Sequence, residues 1–555
     1  MFHNLRLLGS FLLAILFVTS CKTTPKQQVE TILFNGVVYT SDSNFSIHSA
    51  IAIDSGKIVG IGSDDDILDA FEATDRYNLD KRPVYPGLID AHSHFYGFGK
   101  NMQELDLRET VSLEDMIERT VAYARSTQPA YILGRGWNEE NWITKGSISN
   151  NKLNLLFPDI PVILTRVDGH ALLCNQAALD LAGIDENFEI EGGVAVRMGY
   201  MLTGLLVDQA MEPVLSQLPD LSLPQKVKAL KDAERKCFEA GLTMVTDAGL
   251  DESIILLIDS LQRTGELRMK VYAMANPDTN AVNRLLKNDN IRNNPLLNLR
   301  SIKLYGDGSL GSRGALLKHK YCDDSTTHGT QIMPTEFYQG IINYCYRNSL
   351  QVNTHCIGDS SNHDLLQLYA NRLGGKNDLR WRIEHAQIVD SKDLHLFSEN
   401  DIIPSIQPTH ATSDASMAQH RLCNLPAMKG AYVYKTLLDE TGLVAYGTDF
   451  PVEDIDPIAT YFSAVKRRTK TGEVFKPEEA IGPRESLLAM TRWAAYACFM
   501  DQETGSLEIG KAADITILSE NMIGAYERGS IHVEMTLSNG DVVYNNQRIS
   551  KDIPE

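Results

Sequence analysis

The stretch Pro86-Gly87-Leu88-Ile89-Asp90-Ala91-His92-Ser93-His94 organises the rest of this chain. A short apolar run ends in two histidines that one residue separates. Side chains at positions i and i+2 of a β-strand point to the same face, so His92 and His94 can hold one metal ion from the end of one strand. Two ordinary polar residues after a strand give the same pattern, so the interpretation depends on how the later strands end.

Length and charge narrow the classes of function. The chain has 555 residues, of which 43% are hydrophobic, so it can bury a large core and is too long for one simple domain. Its formal net charge is -20 at pH 7. A protein that binds the phosphate backbone needs a basic surface, so this charge argues against a nucleic acid as partner. It does not argue against a small-molecule substrate.

Residues 1–20 are expected to be a signal peptide. Arg6 precedes an apolar run, Leu7 to Val18, which has the length of a secretory core and is too short to span a membrane stably. The residues Val18-Thr19-Ser20-Cys21 resemble a bacterial lipobox, which implies cleavage before Cys21 and lipidation of its thiol. An ordinary signal peptide followed by an incidental cysteine is the alternative.

The lipid anchor would decide where the protein is located. Residues 21–30 are expected to form a polar tether, with the lipid on Cys21 as the membrane contact. Lys22 stands where some bacteria use an aspartate to retain lipoproteins at the inner membrane. We therefore expect a protein of the bacterial cell envelope, anchored in the outer membrane and facing the periplasm or the exterior.

The remaining cysteines do not form a recognisable framework. Without Cys21 they are odd in number, scattered, and free of any Cys-x-x-Cys pair: Cys174, Cys237, Cys322, Cys345, Cys356, Cys423 and Cys498. This spacing is typical neither of a disulfide-stapled domain nor of a zinc ribbon. We interpret them mainly as small core residues.

Apolar runs in the middle of the chain alternate with helical patterns. The predicted strands are 88–94, 242–247, 269–275, 301–305, 350–355, 380–385, 402–407 and 443–449. Helical patterns separate most of them, for example at 225–240 and 336–347. Eight alternations of strand and helix predict an α/β fold, a (β/α)8 TIM-like barrel, over residues 86–504.

The ends of the chain read as short strands. Asn35-Gly36 and Asn539-Gly540 each lie between apolar runs, a pattern that predicts hairpins. Neither end has enough strands for a stable sheet alone, so 31–85 and 505–555 are predicted to form one small β-sandwich domain together.

The long gap after the first barrel strand predicts a large insertion at about 97–220. An ordinary strand-to-strand connection in a barrel is far shorter than this gap. An insertion between a strand and the following helix lies over the mouth of a barrel, where substrates bind. We therefore expect it to form a lid or a wall of the pocket.

Residues that bind metals recur at the ends of five of the eight predicted strands. They are His92 and His94 on the first, Lys303 on the fourth, His355 on the fifth, His385 on the sixth and Asp449 on the eighth. The carboxyl ends of barrel strands meet on one face. Neutral imidazoles and a carboxylate are good zinc ligands, so the six residues predict a divalent metal site there.

The sequence resembles the amidohydrolase superfamily, and within it the branch called amidohydrolase family 3, or YtcJ-like. The matching segments cover nearly the whole chain after the tether: 86–94, 134–138 (Gly-Arg-Gly-Trp-Asn), 168–171 (Asp-Gly-His-Ala), 303–313, 355–359 (His-Cys-Ile-Gly-Asp), 383–387 (Ile-Glu-His-Ala-Gln), 447–452 and 505–514. The resemblance implies a metal-dependent hydrolase with a barrel and a small β-sandwich built from both termini.

The resemblance also implies a distribution of the ligands. His92, His94 and Asp449 would bind one metal, and His355 and His385 a second. Lys303 stands where family members carry a lysine that reacts with carbon dioxide and then bridges two cations. The expected cofactor is Zn2+, as one or two ions.

The implied reaction is hydrolysis of carbon–nitrogen bonds other than peptide bonds, in an amide, formamide or cyclic amide, by a metal-activated hydroxide. Asp449 would accept the proton of the water and pass it to the leaving nitrogen. A metal-dependent esterase or lactonase on the same site is the first alternative. A surface protein that binds without catalysis is the second.

A further set of residues is expected near the substrate: Trp137, His170, Asp307, Arg313, Gln407 and His410. Each has an ordinary structural alternative, such as a turn aspartate at 307 or a packed indole at 137.

Overall fold

The computed structural model describes residues 25–144 and 146–552. The predicted signal peptide and the lipidation site at Cys21 lie outside the described residues. Within the described part of the chain, no helix combines the length and the apolar character needed to cross a membrane.

The centre of the molecule is a parallel eight-stranded sheet that is nearly closed into a TIM-like α/β barrel, as the sequence predicts. Its strands follow one another in chain order and are called barrel strands 1 to 8 below. They are Leu88–Ser93, Leu242–Leu250, Lys270–Ala275, Leu297–Tyr305, Gln351–Cys356, Arg382–His385, Ile403–Ile406 and Ala445–Tyr446.

Backbone contacts join barrel strand 1 to the segment that follows barrel strand 8. The amide of Asp449 donates to the carbonyl of His92 at 2.8 Å, and the amide of His94 donates to the carbonyl of Phe450 at 2.8 Å. Gly447 permits this approach, because a Cβ atom at this position would lie 2.5 Å from the backbone nitrogen of His92. The absence of a side chain at 447 therefore brings the two ends of the sheet together.

Helices surround the barrel and cover its outer face. Leu223–Glu239 is typical: Ser222 and Gln225 form a capping box at its start, and Ala233 and Cys237 lie on its buried face. The other helices between barrel strand 1 and the last terminal strands, outside the insertion, are Phe95–Asn101, Glu252–Arg263, Thr279–Leu286, Asp289–Arg292, Thr335–Arg347, Asp359–Leu373, Leu394–Glu399, Pro408–Ser413, Ala415–Leu422, Pro426–Gly430, Tyr434–Thr441, Pro457–Lys466, Pro483–Ala489 and Arg492–Ala497.

Two further sheets are built from the terminal segments. One contains Gln27–Phe34, Ala50–Asp54, Lys57–Gly62 and Phe71–Asn78, with the helix Asp64–Ala70 between the last two. The other combines Val37–Tyr39, Ile47–His48 and Pro83–Pro86 with Ile515–Leu518, Val533–Ser538 and Asp541–Asn545. Leu33 and Ile51 of the first sheet share one apolar core with Val84 and Ile517 of the second.

The two Asn-Gly turns behave differently. Asn539-Gly540 closes a hairpin, in which Ser538 pairs with Asp541. The prediction of a hairpin at Asn35-Gly36 is wrong, because the strands on its two sides enter different sheets. The turn carries the chain from one layer to the other, and the partners of both strands come from elsewhere in the sequence.

The insertion between barrel strands 1 and 2 has a mixed six-stranded sheet of its own. Its strands are Leu105–Asp106, Ile132–Trp137, Val162–Arg166, Ala171–Cys174, Gly193–Met198 and Met201–Asp208. The accompanying helices are Leu113–Thr127, Asn151–Leu156, Gln176–Leu181 and Glu212–Leu215.

The cysteine prediction needs one correction. Cys322 and Cys423 form a disulfide, with their Cα atoms 5.9 Å apart, although 101 positions separate them in the sequence. It joins the loop after barrel strand 4 to the end of the helix Ala415–Leu422, and both half-cystines are exposed. The free cysteines of the described chain are buried, as the sequence predicts.

Candidate metal centre

The structure brings the six predicted metal-binding residues to the carboxyl end of the barrel. His94 Nε2 lies 3.2 Å, and His92 Nε2 3.6 Å, from Oδ1 of Asp449. The ring of His385 lies with its centroid 4.9 Å from that of His92 and 4.5 Å from that of His355. Lys303 Nζ is 3.3 Å from His92 Nε2.

The tightest group consists of His92, His385 and Asp449, whose candidate ligand atoms lie within 4.8 Å of one another. All three residues are buried. Nδ1 of His385 and Oδ1 of Asp449 have no hydrogen-bond partner among the described residues. Buried polar atoms are normally paired, and a divalent cation is a partner that imidazole nitrogen and carboxylate oxygen share. The three residues therefore fit a metal ion.

Burial keeps the imidazoles in the neutral form that binds metals. It lowers the pKa of His92 to about 4, and the nearby ammonium of Lys303 acts in the same direction. Burial also holds the pKa values of His355 and His385 well below the usual range. A neutral ring offers a lone pair, so these histidines can act as ligands at neutral pH.

Asp449 is ionised at neutral pH. Burial acts to raise its pKa, but contact with His94 and the neighbouring imidazoles hold that pKa well below the usual range. The carboxylate is therefore available both to a cation and to a proton.

Two of the candidate metal ligands have a backbone conformation that non-glycine residues rarely adopt. The φ angle is 71° at His385 and 62° at Asp449. A left-handed conformation costs about 1–3 kcal/mol and persists where the surrounding structure imposes it. Here it turns both side chains away from the course of the strand and toward the same point.

Lys303 places an amine among the histidines of the metal centre. Its side chain is buried inside the barrel beside His92, and its Nζ lies 4.9 Å from the ring centroid of Tyr305. Burial lowers the pKa of this amine to about 8. A fraction of the amine is therefore uncharged at mildly alkaline pH.

Glu384 supports the metal centre and was not predicted from the sequence. Its carboxylate hydrogen-bonds Nδ1 of His92, which leaves Nε2 of that ring free to face Asp449. It also accepts from the guanidinium of Arg382 at 2.7 and 2.8 Å and from the amide of Asn353 at 3.1 Å. A signal was present: an arginine and a glutamate two positions apart in a barrel strand must share its inner or outer face.

Other supports fix the neighbouring segments. Nδ1 of His94 donates to the carbonyl of Ala248 at 3.1 Å, which directs its Nε2 toward Asp449. Asp90 accepts hydrogen bonds from the amide and hydroxyl of Thr448 and from the amide of His92. This carboxylate therefore links the first and last ligand segments of the barrel.

A cavity of about 860 Å³ opens above the metal centre. His94, Lys303, His355, His385 and Asp449 line its floor. The insertion supplies one wall, with lining residues that include Asp106, Arg108, Gly136, Asn138, Arg166 and His170. This volume is within the range of small-molecule sites.

Two of the six residues predicted near the substrate line this cavity, namely His170 and His410. The ring of His170 lies 5.2 Å from that of His355, between centroids. Burial lowers the pKa of His170, but its bond to the Asp208 carboxylate outweighs this and raises it. The ring of His410 stacks on that of His385 at 5.9 Å, and its buried Nε2 has no hydrogen-bond partner among the described residues.

The other four residues lie outside the cavity wall, which does not support direct contact with substrate. Trp137 is buried in the core of the insertion, where its Nε1 donates to the carbonyl of Leu164 at 2.8 Å. Arg313 pairs with Asp323 at 2.8 Å. Gln407 is fully buried, and its amide donates to the carbonyl of Ser405.

Asp307, the fourth, has a structural position. Its carboxylate accepts hydrogen bonds from the amides of Leu316, Ile357 and Gly358, at 2.7 to 3.0 Å. It therefore holds the loops that follow barrel strands 4 and 5 in place beside His355.

The sequence is similar to known proteins over most of its length. Protein LONG AFTER FAR-RED 3 of Arabidopsis thaliana is 33% identical over 514 residues, which cover 89% of this chain and 87% of that protein. YtcJ of Bacillus subtilis (strain 168) is 29% identical over 532 residues, 93% of this chain and 99% of that protein. N-substituted formamide deformylase of Arthrobacter pascens is 23% identical over 520 residues, 90% and 94% of the two chains.

A solved structure agrees with the fold over nearly its whole length. A metal-dependent hydrolase from Pyrococcus horikoshii OT3 superposes with a TM-score of 0.73 at 25% identity, covering 90% of this chain and 99% of that one. A model of the amidohydrolase family matches residues 76–544. Because this match spans most of the chain, the protein belongs to the amidohydrolase family and is a metal-dependent hydrolase.

Proposed function

We propose that this hydrolase cleaves carbon–nitrogen bonds other than peptide bonds, in small amides, formamides or cyclic amides. The observation that carries the proposal is the buried group of His92, His385 and Asp449 at the floor of a cavity with room for a small molecule. The formamide deformylase named above acts, by its name, on such a bond, and its similarity extends over 90% of this chain.

His92, His94, His355, His385 and Asp449 would hold one or two divalent ions, with Zn2+ as the expected metal. When bound, such an ion activates a water molecule and polarises a carbonyl group. The ionised carboxylate of Asp449 accepts the proton from that water and delivers it to the leaving nitrogen. Its Oδ2 lies 3.8 Å from Nε2 of His410, on the side of the cavity.

Carbamylation of Lys303 is a further part of the proposal. An uncharged amine can react with carbon dioxide, and the lowered pKa of this buried lysine supplies a fraction of that form. The product is a carboxylate-like group, whereas an unmodified ammonium would repel cations. Intact-mass analysis of protein kept in bicarbonate should show one added carbon dioxide that Lys303→Met abolishes. An addition that is absent from the wild type, or equally present in both proteins relative to their sequence masses, contradicts the proposal.

The test of the reaction is a substrate panel on zinc-loaded protein. Amides, formamides, cyclic amides and their ester counterparts should be compared by kcat/KM, with metal content measured on the same samples. His385→Asn should lose both metal and activity, whereas His395→Asn on the exposed surface should lose neither. Faster hydrolysis of esters and lactones, after allowance for their intrinsic reactivity, would favour an esterase. Absence of both metal and turnover would favour a binding protein.

We also propose that the protein is anchored through a lipid on Cys21 in the bacterial outer membrane, facing the periplasm or the exterior. The exposed disulfide between Cys322 and Cys423 supports an oxidising compartment, because such bonds are rare in the cytosol. Labelling with radioactive palmitate should mark the wild type and not Cys21→Ser, and fractionation should place the label in the outer membrane. Equal labelling of both proteins would contradict the anchor.

A further inference from the structure

The insertion holds a second histidine–carboxylate pair that faces the metal centre from the opposite side of the cavity. His170 immediately precedes the strand Ala171–Cys174, and Asp208 ends the strand Met201–Asp208. These strands pair antiparallel, so the two residues lie opposite each other, and the amide of Asp208 donates to the carbonyl of His170 at 3.0 Å. The side chains meet as well, with Nδ1 of His170 2.7 Å from Oδ1 of Asp208.

Two glycines in the loop after barrel strand 4 leave room for the carboxylate of Asp208. A Cβ atom on Gly308 would lie 2.4 Å, and one on Gly314 2.3 Å, from Oδ2 of Asp208. Neither glycine needs a positive φ angle, so their lack of side chains is explained by the close approach of the carboxylate. The loop after barrel strand 4 is therefore shaped to receive Asp208, which fixes His170 relative to the metal centre rather than only within the insertion.

A second contact holds the backbone of His170. Its amide donates to Oδ1 of Asp168 at 3.1 Å, and Asp168 in turn pairs with Arg166 and accepts from the hydroxyl of Ser309. The charge of Asp168 is thus balanced by the guanidinium of Arg166. The carboxylate of Asp208, in contrast, is paired with the imidazole of His170. Two links therefore join this part of the insertion to the loop after barrel strand 4.

These contacts decide which ring atom of His170 is available. A carboxylate can only accept a hydrogen bond, so in the neutral ring Nδ1 keeps the proton and Nε2 carries the lone pair. None of the described residues bonds Nε2, and the side chain lines the cavity with about 19% of its surface exposed. In the neutral form of the ring, an acceptor therefore faces the space above His355, where a substrate would lie.

We propose that Nε2 of His170 accepts a hydrogen bond from the N–H of the bond to be cleaved, and that Asp208 is the positioning residue that holds it there. This inference rests on the proposed amide hydrolysis and adds a reason for selectivity. A secondary amide has the required donor, whereas an ester or an N-methylated amide does not. A buried acceptor left without its donor costs the complex about as much as any lost buried hydrogen bond.

The first experiment measures selectivity. Zinc-loaded wild type and variants are assayed with p-nitroacetanilide, its N-methyl derivative and p-nitrophenyl acetate. We expect His170→Phe to lower the ratio of kcat/KM for the anilide to kcat/KM for the ester by about 10- to 100-fold. Comparing this ratio between two proteins cancels the difference in intrinsic reactivity between the two substrates. His170→Gln, whose amide oxygen can accept, should recover part of the ratio. An unchanged ratio in His170→Phe overturns the proposal.

The second experiment does not need turnover. Nitrogen-15 spectra of histidine-labelled, zinc-loaded protein at pH 9 report which ring nitrogen carries the proton. The signal of His170 is assigned by its loss in His170→Phe. We expect the proton on Nδ1 in the wild type and a mixture in Asp208→Asn, while Asp180→Asn, an exposed site on the insertion, leaves the signal unchanged. A proton on Nε2 in the wild type overturns the proposal. If the wild type hydrolyses none of the three compounds, that result counts against the proposed function, and this spectrum alone decides the role of His170.

Discussion

The floor and the wall of the cavity are built in different ways. The floor consists of side chains at or just after the ends of barrel strands, and the regular sheet fixes the positions of these ends: His355 is in barrel strand 5, and His385 ends barrel strand 6. The wall comes from loops and from the insertion, and is held by individual ion pairs and one disulfide. Arg421, for example, joins Asp323, Glu140 and the carbonyl of Gly311.

This difference indicates what each of the two regions contributes to the site. Strand ends in a barrel must converge, so a few histidines and a carboxylate are enough to specify a metal centre. A wall held by pairwise contacts can change without disturbing the floor. We therefore expect changes in the floor to affect turnover and metal binding, and changes in the wall to affect stability and substrate choice.

The largest effect is expected at Asp449. In Asp449→Asn the amide cannot accept the proton from water, and kcat should fall by about 10²- to 10⁴-fold. Metal content, measured by mass spectrometry on the same protein, should remain close to that of the wild type, because the histidines are intact. Full activity in this variant would remove Asp449 from the mechanism.

The disulfide tests the wall. Replacing both Cys322 and Cys423 by serine should lower the free energy of unfolding by about 2–4 kcal/mol, because the unfolded chain is no longer closed at this long loop. Urea unfolding followed by fluorescence gives the value, and wild type in reductant should match the variant. KM should rise more than kcat falls. A selective loss of kcat would mean that the floor depends on this bond after all.

Glu384 tests how the floor is held. Glu384→Gln keeps the shape but weakens the bond to Nδ1 of His92, and metal affinity should fall by about 10- to 100-fold. Competition with a chelator measures this, with Glu399→Gln on the exposed end of a helix as the control. Equal affinity in the two variants would show that His92 does not need its carboxylate partner.

The smallest effect is expected at Trp137. Trp137→Phe removes the donor to the carbonyl of Leu164 inside the insertion and should cost about 1 kcal/mol of stability. Because the indole lies outside the cavity wall, KM and kcat should stay within twofold of the wild type. A several-fold rise in KM would indicate that Trp137 contributes to substrate binding after all.

The floor could be predicted from the sequence because it follows from periodicity. All eight barrel strands overlap the predicted segments. His92 and Asp449 meet because His92 lies near the end of barrel strand 1 and Asp449 lies in the segment after barrel strand 8, which is beside it. Glu384 was missed although it adjoins His385, since a charge inside a strand does not reveal its partner 292 positions away.

The wall could not be predicted because its contacts join segments without a common period. Seven cysteines allow many pairings, and which two meet depends on how the loops after barrel strands 4 and 7 fold. The misplaced hairpin at Asn35-Gly36 has the same cause, because local turn chemistry does not determine which strand lies alongside.

The sheet shared by the two chain ends has a consequence for biosynthesis. Pro83–Pro86 pairs with Ile515–Leu518, and one residue later the chain enters the strand that carries His92. A nascent polypeptide that has not yet emerged as far as Ile515 leaves that edge open, and open edges recruit other chains. This edge of the sheet can therefore be covered only after residues 515–518 have been synthesised, and a chaperone that shields residues 83–86 until then would protect the yield.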